Sequence, residues 1–220
     1  MPYRWATFDC YGTLIDWNAG LAGALASIWP THAPADLVAA YHHAEPRIQH
    51  GSGRSYRSVL AETARAVAED LGEAITADEA ARVAESLPSW PPFAEVPRAL
   101  ATLREHGWRL AILSNTDPEL LAASIAAIGV EPDLAITLAD TGSYKPARAH
   151  WDTFFERTGA EHGGHVHVAA SLFHDIEPCA RLGLNCVWIN RLGEQTTLPH
   201  LTELPDLTDL AATLGLLVPA

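Results

Sequence analysis

The sequence predicts an α/β fold, a doubly wound, mainly parallel sheet with a helical cap domain inserted near its start. Two observations predict it. Short apolar or β-branched runs closed by polar turns alternate with longer helical patterns through most of the 220 residues, and such alternation implies right-handed βαβ units. One section, from about 17 to 90, breaks the alternation and carries helical patterns alone.

Taken in order, the first run is "WATFDCYG", which ends on an acid, Asp9, and a Gly-Thr turn. Amphipathic stretches follow at 18–29, 35–49, 56–71 and 76–87, separated or ended by the turns "PTHAP", "HGSGRS" and "SLPSWPP". The core resumes near Phe93. The expected division is therefore 1–16 with 91–220 as the α/β core, and 17–90 as the helical cap. The remaining strands are read at "WRLAILSN", "DLAITLAD", "HVHVAAS" and "NCVWIN", and the helices at 95–107, 117–129, 147–159 and 177–185. Most of these helices open near Asp, Glu or Pro and close on Gly.

Composition narrows the partners. A formal net charge of −13 disfavours nucleic acid and anionic membranes, because no basic face is large enough to neutralise phosphates. An acidic chain can still take an anionic small molecule at one local positive site. Cys10, Cys179 and Cys186 are few, odd in number and lack metal-ligand spacing, which suits a reduced, cytoplasmic setting. The start, "MPYRWATFD", lacks a long apolar region, and no run approaches the ~20 apolar residues of a membrane span. Apolar stretches such as "LAGALASIW" serve either packing within the lobe or a homodimer interface.

In an open parallel sheet, ligands bind at the carboxyl ends of the strands. The polar residues expected there are Asp9, Tyr11 and Thr13, then Ser114 and Asn115, then Tyr144 and Lys145, and finally His174 and Asp175. Asp9 taken alone is equally explained by an Asx-turn or a helix cap. Gly12 and Thr13 after it, with Lys145 as a partner, favour chemistry. An attacking carboxylate must stay ionised in a poorly solvated place, which takes nearby donors and positive charge.

The runs "DCYGTL" (9–14), "LSN" (113–115), "YKP" (144–146) and "SLFHDIEP" (171–178) together resemble the haloacid dehalogenase superfamily, and within it the type II (S)-2-haloacid dehalogenase-like branch. The resemblance spans almost the whole chain. It implies Asp9 as nucleophile, Ser114 and Asn115 as substrate ligands, Lys145 as charge stabiliser and a helical cap after the first motif. The phosphatase majority of the superfamily carries an acid where Tyr11 stands and a metal-binding acid where Ala170 stands. A methyl group cannot ligate Mg²⁺, and a phenol with a reference pKa of about 10 is a poor proton donor.

The implied enzyme is thus a hydrolase with no metal and no cofactor. It displaces halide from a small 2-halo carboxylic acid through an aspartyl ester on Asp9, giving a 2-hydroxy acid. Lys145 holds Asp9 ionised; a unit-charge pair at ~4 Å is worth about 4 kcal/mol at an effective dielectric near 20. Asp175 is the favoured base for the hydrolytic water, ahead of His174. Thr13 donates to Asp9, and Trp151 supplies an aromatic six residues after the lysine, grouped with Tyr11 as a substrate contact.

The departures are informative. Members of that branch place an arginine in the cap to receive the halide, whereas "YHHAEPR" sets Glu45 or its neighbours there, with Arg47 nearby. The serine and asparagine usual early in the fourth motif are Ala170 and Leu172. The alternatives are therefore a different displaceable group on a small carboxylic acid (a strained cyclic amino acid, for instance), or a Mg²⁺-dependent phosphatase in which Glu177 and Asp175 rebuild the metal site. A catalytically silent binding fold is the third. "HGGHVH" (162–167) suggests a metal site, but His165 and His167 share one face of a strand entry with no third ligand, so packing is the preferred reading. The seven tryptophans are read as packing residues, with Trp17 and Trp90 near the hinge.

Overall fold

Strand β1 (Arg4–Phe8) forms the middle of the sheet, and its residues explain why. Trp5, Ala6, Thr7 and Phe8 are all buried, which only a strand covered on both faces allows. It pairs in parallel with β2 (Trp108–Leu113) on one side and with β4 (His165–Ala169) on the other. The computed structural model describes residues 4–49 and 54–217, so the expected turn at 50–55 lies mostly outside the described residues.

The sheet has six strands in the order β3-β2-β1-β4-β5-β6, every pairing parallel, with β3 at Leu134–Ile136, β5 at Cys186–Ile189 and β6 at Thr202–Leu204. The fold is α/β as expected. One face carries Trp5, Ala111, Leu113, Trp151, Phe154 and Trp188. The other carries Ala6, Phe8, Ile112, Val166, Val168 and Ile189. Successive side chains of a strand point to opposite faces, so Thr7, His165 and His167 share the face of Trp5.

Four helices interrupt the chain after β1: α1 (Trp17–Ile28), α2 (Pro34–Gln49), α3 (Tyr56–Leu71) and α4 (Ala77–Ser86). Their starts follow capping rules. Asp16 accepts from Ala19 N, and Thr76 and Glu79 form a capping box, each satisfying an orphan N–H of a first turn. The outgoing and returning chains are bonded to each other, Asp16 N to Pro91 O at 2.9 Å and Phe93 N to Leu14 O at 3.0 Å. Trp90 crosses α1 at Gly20, where a Cβ would sit 2.2 Å from the indole. Only glycine permits that approach.

The helices outside this segment are α5 (Val96–Glu105), α6 (Pro118–Ile128), α7 (Leu138–Thr141), α8 (Ala149–Thr158), α9 (Glu177–Leu182) and α10 (Leu210–Leu217). Two expectations need correction. The run "DLAITLAD" is a strand only to Ile136; Thr137 and Asp140 then form a capping box that turns its second half into α7. The fourth motif opens not with a plain loop but with a π-helical turn, Leu172–Ile176, capped by Ser171. Among the described residues, no helix is long and apolar enough to cross a membrane.

Candidate active site

The end of β1 delivers Asp9, whose N–H donates to Val168 O at 3.1 Å. The chain then doubles back: Leu14 N and Ile15 N both donate to Cys10 O, and Gly12 takes φ 86°, a left-handed conformation that favours glycine. This tight turn aims Thr13 back at the carboxylate. Thr13 Oγ1 donates to Asp9 Oδ2 at 2.9 Å and accepts from Ala170 N at 3.0 Å.

Lys145 is 1 % exposed, and its Nζ lies 2.9 Å from Asp9 Oδ1 and 2.6 Å from Asp175 Oδ1. Three charges from three parts of the chain therefore meet at one ammonium. Burial alone works against the charged lysine, but Asp175 and then Asp9 more than offset it and hold its pKa above the ordinary lysine value. For Asp175, burial opposes ionisation, while the lysine charge and the His167 hydrogen bond prevail and keep the carboxyl well below the usual range. A third N–H of the ammonium remains for a bound anion.

These groups form the floor of a cavity of about 670 Å³ between the strand ends and the helical segment. Asp9, Ser114, Lys145 and Asp175 line one side, and Trp17, His42, Glu45, Gln49 and Tyr56 line the other. Ser114 Oγ is buried with no partner among the described residues, which leaves it free for a ligand. Tyr11 faces the cavity, bonds Ser124 Oγ at 3.0 Å and stacks on Tyr56, 6.1 Å between ring centres. Burial raises its phenol pKa further.

Several expected ligands are occupied otherwise. Asn115 lines the cavity, but its Oδ1 accepts from Lys145 N at 2.6 Å and its Nδ2 donates to Lys145 O at 3.1 Å. Both ends of the amide thus hold the lysine backbone. His174 bonds Ser171 Oγ at 3.2 Å and Gln49 Oε1 at 3.0 Å, so neither ring nitrogen is open to act as a base. Burial lowers its pKa, consistent with a neutral ring bridging the π-helical turn to α2. Asp175, by contrast, keeps Oδ2 without a protein partner among the described residues.

Trp151 must be corrected. It is 1 % exposed, absent from the cavity wall, and packs edge-on against His167 at 5.4 Å on the far side of the charged cluster. Its helical phase on α8 points it into the sheet. Arg191, Thr7 and Asp117 had no sequence signal, and His167 was read as packing. Arg191 donates to Thr13 O at 2.8 Å and Glu95 at 2.6 Å and lies 3.5 Å over the Phe93 ring, fixing the turn after Asp9. Thr7 and His167 stand behind Asp175, and Asp117 crosses from α6 to α3.

A divalent cation does not fit between the carboxylates. Asp9 and Asp175 share the ammonium of Lys145, position 170 offers only a methyl group, and no group of three His, Cys, Asp or Glu among the described residues could hold a metal.

The model of haloacid dehalogenase-like hydrolases matches residues 3–183. The chain belongs to that family. It is 31% identical over 131 residues to haloacetate dehalogenase H-2 of Moraxella sp. (strain B), covering 59% of this chain and 57% of the relative. It is 29% identical over 104 residues to the (S)-2-haloacid dehalogenase of Pseudomonas sp. (strain YL), covering 46% and 44%. The chain thus spans about half the length of these curated relatives. In fold, it is similar to the L-2-haloacid dehalogenase of Xanthobacter autotrophicus with chloropropionic acid covalently bound, at a TM-score of 0.85 and 20% identity over 96% of this chain and 98% of that one.

Proposed function

We propose that this family member is a metal-independent 2-haloacid dehalogenase working through a covalent ester on Asp9. The observation that carries the reading is the buried Asp9–Lys145–Asp175 cluster on the floor of the cavity beneath the helical segment. The Asp9 carboxylate takes an ammonium at one oxygen and a hydroxyl at the other, which fixes its orientation and leaves a second lone pair to attack carbon. Ser114 Oγ and the third N–H of Lys145 receive the substrate carboxylate. Asp9 displaces the halide from the α-carbon, forming a C–O bond as the carbon–halogen bond breaks with its electron pair. Asp175 Oδ2 then takes a proton from water, whose oxygen attacks the ester carbonyl. Collapse frees the 2-hydroxy acid oxygen, which takes that proton back from Asp175, and leaves Asp9 as a carboxylic acid whose proton passes to solvent, balancing the released halide. The helical segment closes the site against bulk water. The names of the curated relatives, and the covalent adduct in the Xanthobacter enzyme, support this reading.

A second reading is favoured by Glu45. The wall facing the nucleophile carries this acid, which suits a leaving group that needs a proton, still on a small carboxylic acid.

The test is one turnover of 2-chloropropionate in ¹⁸O-water, after exhaustive chelation. One labelled oxygen is expected in the Asp9 carboxylate and none in the first product. Label passing straight into product, or strict dependence on added Mg²⁺, sinks the proposal.

A further inference from the structure

Behind Asp175 runs a chain of buried polar groups that the reaction does not touch. Asp175 Oδ1 lies 2.9 Å from His167 Nε2, His167 Nδ1 lies 2.8 Å from Thr7 Oγ1, and Thr7 Oγ1 lies 2.8 Å from His165 Nε2. Thr7, His165, His167 and Asp175 are each fully buried.

The protons of this chain can be placed. An ionised carboxylate only accepts, so His167 donates through Nε2–H. Its Nδ1, when the ring is neutral, accepts from the Thr7 hydroxyl. That hydroxyl, having given its proton to His167, accepts from Nε2–H of His165. His165 Nδ1 then carries a lone pair, and this atom has no partner among the described residues. A bare acceptor costs less there than an orphaned donor. Protonating His167 instead would make Nδ1 a donor, turn the threonine proton towards His165 and leave an N–H stranded at His165 Nδ1. The chain therefore runs in one direction, from His165 through Thr7 and His167 to Asp175, and burial holds His165 neutral, lowering its pKa to about 3.

We propose that His167, oriented by Thr7 and His165, is a positioning residue for ester hydrolysis. It pins Oδ1 of Asp175 alongside Lys145 so that Oδ2 alone faces the attacking water. Without it, the carboxylate has one donor, Lys145, and its plane is free to turn about that contact. Formation of the ester uses Asp9 and Lys145 and does not need that orientation. The inference rests on the covalent reading above.

The experiment uses the full chain and 2-chloropropionate as the probe. In His167→Leu, ester formation in a single turnover should stay within about threefold of the unmodified protein, while ester hydrolysis slows by tenfold or more. The Asp9 adduct should then accumulate and be seen by mass. His167→Gln, whose amide N–H can replace Nε2–H, should recover most of the hydrolysis rate. A merely structural role would lower both steps together and would not be rescued by Gln. Unchanged hydrolysis in His167→Leu, or parallel loss of both steps without rescue, overturns the proposal. ¹⁵N shifts of the two rings in the unmodified protein, which need no turnover, should show protonated Nε2 and bare Nδ1 at both positions near pH 7. A cationic or Nδ1-protonated His167 also overturns it. If no adduct forms in the unmodified protein, the covalent reading fails, and the ring shifts still decide whether His167 holds Asp175.

Discussion

At the scale of single residues, the site was legible wherever a residue's type dictated its use. Asp9, Thr13, Lys145 and Asp175 meet as the motifs require. Legibility ended where a side chain had two partners to choose from. Nothing in "LSN" says that the Asn115 amide turns back onto the Lys145 backbone, and nothing in "HVHV" says that His167 meets an acid rather than core. Glu45 was visible only as a departure, and its environment gives it content. Burial raises its pKa to about 7, opposed in part by the hydrogen bond from Tyr56. If protonated Glu45 assists the departing group, the rate of ester formation should decline as pH rises through about 7. Glu45→Gln should remove that limb and lower the plateau by on the order of tenfold, the loss of one proton-donating contact. Rapid-quench rates between pH 5.5 and 8.5 decide it; an unchanged profile would place Glu45 outside the reacting geometry.

At the scale of elements, long periodic helices and central strands were readable because burial repeats along them. The edge strand β6, three residues with a half-exposed pattern, exists only through its register with β5 and left no periodic trace. The same limit hid α7 and the π-helical turn. One tertiary cap was equally invisible. Asp117 precedes α6, yet its carboxylate accepts from Tyr56 N at 3.0 Å and Arg57 N at 2.9 Å, the first amides of α3. It ties the helical segment to the core beside Tyr56, a cavity-wall residue. Asp117→Ala should lower stability by about 1–2 kcal/mol, as lost helix caps do, and raise KM more than it lowers kcat. Chemical denaturation and steady-state kinetics check both; an unaltered KM would mean that α3 holds its place without the carboxylate.

For the whole molecule, the buried titratable groups predict how stability follows pH. His165 and His150, lowered by burial to about 3 and about 4 from 6.5, refuse protons that the unfolded chain accepts. Each therefore removes stability as pH falls below 6.5. His42 and His174, also lowered by burial, act in the same direction. Glu45 has the opposite sign: raised to about 7 from 4.5, it adds stability as pH falls through that window. Two histidines against one glutamate leave about one net proton near pH 5.5, or about 1.4 kcal/mol per pH unit at that point. These opposing contributions cancel near pH 7 and sum to about 1 kcal/mol by pH 5.5, so the melting temperature should drop by about 2–4 °C over that range. Below 4.5 the glutamate no longer compensates, Asp175 adds its own loss, and the fall should steepen. Thermal denaturation across this range tests the slope, which His150→Gln should reduce by about one proton's worth. A flat or rising curve towards acid would contradict the burial of these rings.

The central place of β1 also has a consequence for how the chain is made. Asp9 lies at the end of the first strand, but that strand pairs with Trp108 onwards on one side and His165 onwards on the other. During synthesis it must wait, apolar and with both edges unsatisfied, while the helical segment and most of the core emerge. Helices α1–α4 contact one another in sequence and can settle early, since local contacts form fastest. The strand that leads into Asp9 is among the last to find its neighbours. Nascent chains halted before β4 would hold Asp9 without the walls that confine it, and an exposed strand ready to pair with the wrong partner.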